Sequence, residues 1–129
     1  MIVLDTCAVI WMLGDSSLLS RPATQAIVSS RDLEGIFISA ITFYELAWLV
    51  KNKRLASDIS IQDFFIEVES KCIVVPISPA IARISADLSA SYPKDPMDRI
   101  IGATALDRGM PLVTKDLAIR KSKAVPVIW

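Results

Sequence analysis

Met1-Ile2-Val3-Leu4-Asp5-Thr6 opens the chain, and its pattern decides the fold class. Ile2, Val3 and Leu4 form an unbroken apolar run, as expected for a strand buried on both faces. Strands of that kind belong to parallel sheets covered by helices on either side. Asp5 ends the run abruptly. A carboxylate at the carboxyl end of a central parallel strand lies in the crevice where open α/β sheets bind ligands. Asp is also a favoured N-cap, so capping of the helix that follows explains Asp5 equally well when it is taken alone. Its companions elsewhere in the chain decide between the two readings.

Outward from this stretch, strands and helices alternate. Residues 6–13 read as a short helix closed by Gly14. Pro22 suits the first turn of a second helix, which runs to about Leu33 and stops near Gly35. Ile36-Phe37-Ile38 is a second buried strand, and Ser39 caps an apolar helix over residues 40–51. Residues 51–60 are polar and turn-like. A helix over residues 61–70 follows, with Phe64, Phe65 and Val68 on its apolar side. Ile73-Val74-Val75 is a third strand, stopped by Pro76. Pro79 opens a helix that carries Ile81, Ile84 and Leu88 at helical spacing and ends near Tyr92-Pro93. Asp95-Pro96 starts the next, which runs to Asp107 and closes at Gly109. Leu112-Val113 is a fourth strand, residues 116–121 a brief helical turn, and residues 125–128 a fifth strand. The expected architecture is a parallel sheet between two helical layers, an α/β fold of one domain over residues 1–129.

Composition sets the outer limits. With 53% hydrophobic and 22% charged residues the chain is globular. No apolar run is long enough to span a bilayer, and the N-terminus lacks the basic segment of a signal peptide, so a cytoplasmic protein is expected. Cys7 and Cys72 sit among apolar neighbours and are expected to be reduced and packed. There is no histidine, which removes the usual zinc sites, His-based acid–base catalysis and Ser-His-Asp triads. Lys+Arg and Asp+Glu balance at 14 each, so net charge gives no steering argument. Two basic clusters stand out, Lys51-Lys53-Arg54 and Arg120-Lys121-Lys123, and a solvated surface accounts for each.

Asp116 parallels Asp5: it follows the fourth strand and precedes a helical turn, and N-capping is again the competing account. Asp98 lies in Asp95-Pro96-Met97-Asp98-Arg99, where Asp95 suits the N-cap, Pro96 the first helical position and Asp98 the third. Glu45 is harder to dismiss. It is the only charge between Ser39 and Lys51, in a helix that reads as apolar all round and therefore buried. A buried carboxylate must be paired, protonated or bound to a metal. Side chains lean toward the helix N-terminus, so Glu45 is expected to point at the edge where the second strand ends. Four converging carboxylates would repel one another, and a hard divalent cation, Mg²⁺ or Mn²⁺, removes that cost. The chemistry this points to is metal-dependent hydrolysis of a phosphate ester. Lys115 and Arg99, each beside one of the acids, suit a substrate phosphate or a solvated surface equally.

The ordered set Val3-Leu4-Asp5-Thr6, Ser39-Ala40-Ile41-Thr42-Phe43-Tyr44-Glu45-Leu46, Asp95 through Ala105, Leu112-Val113-Thr114-Lys115-Asp116 and Val125 through Trp129 resembles a PIN domain of the VapC toxin type. The resemblance covers essentially the whole chain. It implies a five-stranded parallel sheet of order 3-2-1-4-5, which makes strands one and four neighbours and brings Asp5 to Asp116. It implies metal-binding and catalytic acids at Asp5, Glu45, Asp98 and Asp116, with Thr6, Asp95, Arg99, Thr114 and Lys115 as secondary candidates. The implied activity is Mg²⁺- or Mn²⁺-dependent endoribonuclease cleavage leaving a 5′-phosphate and a 3′-hydroxyl. The implied partners are RNA, a cognate antitoxin gripped by the helices of residues 40–52 and 60–70, and a second copy in a homodimer that extends to a heterotetramer or larger with antitoxin. Two departures from the pattern bear on substrate choice: Lys94 stands where relatives often carry histidine, and Leu117-Ala118-Ile119-Arg120 lacks an aromatic common there. Two other classes compete: a PIN-type nuclease of RNA processing or DNA repair, and a non-enzymatic receiver-like module, whose acid should end the third strand, where this chain has Val75-Pro76-Ile77-Ser78.

Overall fold

The structure is a computed structural model that describes residues 1–33, 35–55 and 58–129. Five strands form one parallel sheet of order β3-β2-β1-β4-β5: β1 (Ile2–Leu4), β2 (Ile36–Ser39), β3 (Ile73–Val75), β4 (Leu112–Val113) and β5 (Val127–Ile128). This is the expected sheet and the expected order. Seven α-helices are described: α1 (Thr6–Leu13), α2 (Arg21–Leu33), α3 (Ile41–Lys51), α4 (Ile61–Lys71), α5 (Pro79–Asp87), α6 (Pro96–Arg108) and α7 (Leu117–Ser122). A 3-10 turn at Ser16–Leu18, capped by the Asp15 carboxylate, joins α1 to α2.

The sheet is buried on both faces, and successive strand residues serve opposite layers. Ile2, Leu4, Ile36 and Ile38 enter one core with Val9, Ile27, Leu46, Phe64 and Val68. Val3 and Leu112 enter the other with Tyr92, Ile101, Met110 and Ile119. A third cluster, Val75, Ile81 and Ala103, seats α5 and α6 below the sheet edge. Apart from Ser39 at the end of β2, the buried strand residues are apolar, as expected where helices cover both faces of the sheet.

Several expectations need correction. Ser39 does not cap α3. It completes β2, paired with Val75, and the chain turns at Ala40 before the helix begins. Its hydroxyl still accepts from Ile41 N at 3.3 Å. The helix opened by Pro79 ends at Asp87, well before Tyr92-Pro93; its last carbonyls are taken by another segment, described below. The last strand begins at Val127, two residues later than expected. The α3 helix is not buried all round: Thr42 and Leu46 are enclosed, while Tyr44 and Trp48 stand exposed. The polar turn expected over residues 51–60 is described only in part, since residues 56 and 57 lie outside the described residues, as does residue 34 at the expected end of α2.

Candidate active site

The register fixes where the acids fall. In the β1–β4 pairing Leu4 lies opposite Val113, so Asp5 and Thr114 leave the sheet side by side. Asp5 N donates to Val113 O at 3.1 Å, the last rung between these strands. The chain departs β1 toward β2, whereas β4 lies on the other flank, so the gap between β1 and β4 is the topological switch point. Asp5, Glu45, Asp98 and Asp116 all line one pocket there, of about 260 Å³. Thr6, Cys7, Trp11, Ile101, Lys115 and Ile119 complete its wall.

Capping and pocket-lining turn out to be compatible. Asp5 Oδ1 accepts from Ala8 N at 2.7 Å at the start of α1. Asp116 Oδ1 accepts from Ile119 N at 2.9 Å at the start of α7. Each cap uses one oxygen of its carboxylate. Asp98 sits in the first turn of α6, below the cap that the exposed Asp95 provides through Met97 N at 2.8 Å. Asp95 does not line the pocket; its charge nevertheless reaches both Asp98 and Glu45.

Two threonines organise the carboxylates. Thr6, buried, donates to Glu45 Oε1 at 2.9 Å and approaches the buried Thr42 hydroxyl at 3.4 Å. This contact ties α3 to the first turn of α1 and aims Glu45 inward. Thr114, fully buried, accepts from Asp116 N at 3.1 Å, and its hydroxyl also acts on the Asp5 carboxyl, favouring the charged form. One hydroxyl thus braces both acids at the switch point.

The electrostatics follow from crowding. Burial pushes the Asp98 carboxyl up to about 7, with Asp95, Glu45, Asp116 and Asp5 adding to the rise. Burial also raises Asp5, against the lowering effect of its bonds from Thr114 and Ala8, and raises Glu45 against the bond from Thr6. Among the described residues no lysine or arginine forms a salt bridge with any of the four. Carboxylates crowded in this way favour a nearby cation. No three of the described acids stand close enough to form a ready-made metal cage. The site is an acid-lined pocket.

The two cationic candidates part company. Lys115 lies on the pocket wall with its ammonium 5.6 Å from the centroid of the Trp11 ring. Arg99 does not line the pocket. Its guanidinium donates to Ser85 O at 3.0 Å, to Pro93 O at 3.2 Å and, closely, to Leu88 O. It clamps the chain that leaves α5, satisfying carbonyls that the helix end leaves unpaired, and three of its five N–H donors are engaged there. Cys7 also departs from expectation, being exposed at the pocket rim; desolvation and the four nearby acids push its thiol up to about 11.

Sequence reasoning missed Tyr92. It is 1% exposed and donates from its hydroxyl to Asp98 O at 3.1 Å. Gly102 admits it: a Cβ there would lie 2.7 Å from Tyr92 Cζ. The ring therefore fixes the height of the first turn of α6, and with it Asp98. Burial and the surrounding carboxylates push its phenol well above the ordinary tyrosine range. A glycine within a helix, one turn beyond an acid, was the available signal. The receiver-like reading fails on placement, because β3 is an edge strand and is followed by Pro76 with no acid.

Sheet order, crossovers and an acid pocket at the β1–β4 switch point define a doubly wound α/β protein of the PIN-like class. The PIN domain model matches residues 2–124, and the chain belongs to the PIN-domain family. Ribonuclease VapC22 of Mycobacterium tuberculosis is 34% identical over 122 residues, covering 95% of this chain and 92% of that protein. VapBC2 from Rickettsia felis, solved bound to a DNA fragment from their promoter, superposes with a TM-score of 0.74 at 16% identity, over 98% of this chain and 97% of that one. A toxin–antitoxin complex from Klebsiella pneumoniae gives 0.62 at 25% identity, over 90% and 87% of the two chains.

Proposed function

We propose that this chain is an endoribonuclease acting as the toxin of a type II toxin–antitoxin pair, and that its catalytic centre is the pocket of Asp5, Glu45, Asp98 and Asp116. One observation carries the reading: four acids from four separated segments line a single pocket at the switch point, and among the described residues none of them is in a salt bridge with a lysine or arginine. The relative named as a ribonuclease supports the activity, and the toxin–antitoxin complexes of like fold support the partner. The chain acts as one domain over residues 1–129, a reading supported by the single sheet that joins the strands of the described residues.

The donor set suits a hard divalent ion of the Mg²⁺ or Mn²⁺ kind, which takes carboxylate oxygens and keeps waters in its remaining positions. Asp5, Asp98, Asp116 and Glu45 would hold it, and when bound it supplies charge neutralisation at the phosphodiester and a more acidic water. The chain's own residues do the rest. Thr114 holds Asp5 and Asp116 in register, and Thr6 holds Glu45. Deprotonating Asp98 at neutral pH favours a cation in its neighbourhood, because the same crowding that raises its affinity for a proton raises its affinity for a metal. Lys115, at the rim, offers the scissile phosphate a cation.

The protein works in the cytoplasm; among the described residues no helix is long and apolar enough to cross a membrane. It pairs as a homodimer and, with antitoxin gripped at α3 and α4, as a heterotetramer or larger. Purified protein should cleave single-stranded RNA with added Mg²⁺ or Mn²⁺, and Asp5→Asn or Glu45→Gln should remove at least about a hundredfold of the rate. Cleavage that persists in EDTA would reject the reading. A role in RNA processing or DNA repair would gain if no small gene with a DNA-binding N-terminus adjoined this one and expression left bacterial growth unaffected.

A further inference from the structure

The acid pocket does not end at its carboxylates. Trp11 forms part of its wall. The Trp11 ring meets Trp129 with centroids 5.7 Å apart and planes inclined by 53°. Trp129 in turn lines a second groove, of about 570 Å³, together with Arg120, Lys123 and residues 125–127. Helix α7 divides the two: Ile119 faces the acid pocket, and Arg120 the groove. A pair of indoles therefore joins an acidic pocket to a basic groove.

Among the described residues Arg120 and Lys123 enter no salt bridge. Helix-dipole complementarity accounts for Arg120 and Lys121 in the last turn of α7. It does not account for Lys123, which lies beyond the helix at a left-handed φ of 55°. Nor does it explain why Arg120 and Lys123, but not Lys121, share a groove with Trp129. A polynucleotide in the acid pocket places further phosphates outside it. The carboxylates repel those phosphates, so they need cations beyond the pocket. Sites for single-stranded nucleic acid combine a positive groove for the backbone with aromatic rings for the bases.

We propose that the groove of Arg120, Lys123 and Trp129 holds the backbone of the same single-stranded RNA that enters the acid pocket, with a base on the Trp11–Trp129 ridge between the two sites. Arg120 and Lys123 each take one flanking phosphate. An acidic protein segment would satisfy the two cations, but it gives no reason for an aromatic ridge continuous with the pocket. The proposal rests on the ribonuclease reading and extends it to how the strand is held.

The test compares wild type with Arg120→Gln/Lys123→Gln and with the control Lys121→Gln. Binding is read by fluorescence anisotropy in EDTA, so that no cleavage intervenes. The probes are labelled uridine oligonucleotides of about 16 and about 3 nucleotides, long enough and too short to reach both sites. Wild type should prefer the long probe. The double variant should lose about tenfold of long-probe affinity at low salt, and its log K against log salt slope should flatten by about 1.4, from two phosphates at about 0.7 each. The short probe should lose less, and Lys121→Gln should match wild type. All three residues are exposed, and circular dichroism verifies folding. Unchanged long-probe affinity and slope in the double variant would overturn the groove proposal, as would a loss equal for both probes. If wild type cleaves RNA while the double variant binds normally, only the groove fails. If wild type binds the long probe with the stated slope yet never cleaves RNA with Mg²⁺ or Mn²⁺, the nuclease reading fails and the groove stands.

Discussion

Asp98 carries the most informative titration in the molecule. Its folded-state pKa of about 7 lies above the ordinary carboxylate value of 3.8. The protonated form is therefore the one that the fold tolerates. Its contribution to stability is complete below about pH 4 and is lost as pH rises through about 7. Metal-free protein should lose thermal stability across that window, and Asp98→Asn should flatten the loss. Above pH 8 in EDTA this variant should melt a few degrees higher than wild type, of order 1 kcal/mol at most given its partial exposure, while losing activity. A lower melting temperature would show that Asp98 is structurally required in its charged form. Arg99 behaves oppositely. Arg99→Ala should cost about 2–3 kcal/mol, because it leaves backbone carbonyls of the α5 exit without donors, and denaturant melts would register it. An effect confined to RNA affinity would favour the phosphate role instead. Both residues adjoin in sequence, and nothing in the pattern Asp98-Arg99 separated them. Their fates depend on which way each side chain leaves α6, a matter settled by segments far away in the chain. The candidate acids were legible for different reasons: Asp5 and Asp116 each follow an apolar strand, Asp98 lies in the first turn of a helix, and Glu45 is the only charge between Ser39 and Lys51 in an apolar helix.

At the scale of elements, α6 is the piece whose position matters most. Its N-terminus presents Asp98, and its seating depends on Tyr92 passing over Gly102. Gly102→Ala should destabilise by about 1–3 kcal/mol through overpacking and should depress cleavage in the molecules that remain folded. Adding Tyr92→Phe should relieve part of the loss, since it removes the Oη that the new Cβ meets first. Strictly additive melting data for the pair would contradict the contact. The helices were legible from caps and spacing: Asp95-Pro96 and Gly109 bound α6, with Gly109 in the left-handed region at φ 63°. The burial of α3 was misjudged. Its apolar residues suggested full enclosure, yet Tyr44 and Trp48 face outward, and Phe43 and Phe65 pack edge to face against one another. Composition alone does not say which apolar face a chain keeps for itself.

For the whole molecule, the sheet order was legible only through the resemblance; alternation gave a parallel sheet, but strand order is a long-range property that no local window contains. Once that order is in place, Asp5 and Asp116 become neighbours without any contact between their own segments being required in advance. Expression of the chain alone should slow growth of a bacterial host, co-expression of its antitoxin should restore it, and Asp5→Asn should be harmless. Equal growth arrest by that variant would detach toxicity from the pocket. The central claim, that acids from four segments meet to hold one divalent ion, is tested most directly by anomalous scattering from crystals soaked in Mn²⁺. A peak bounded by Asp5, Asp98 and Asp116, with Glu45 adjoining directly or through water, is the predicted result. No peak in this pocket at saturating Mn²⁺, or one held elsewhere, would contradict it.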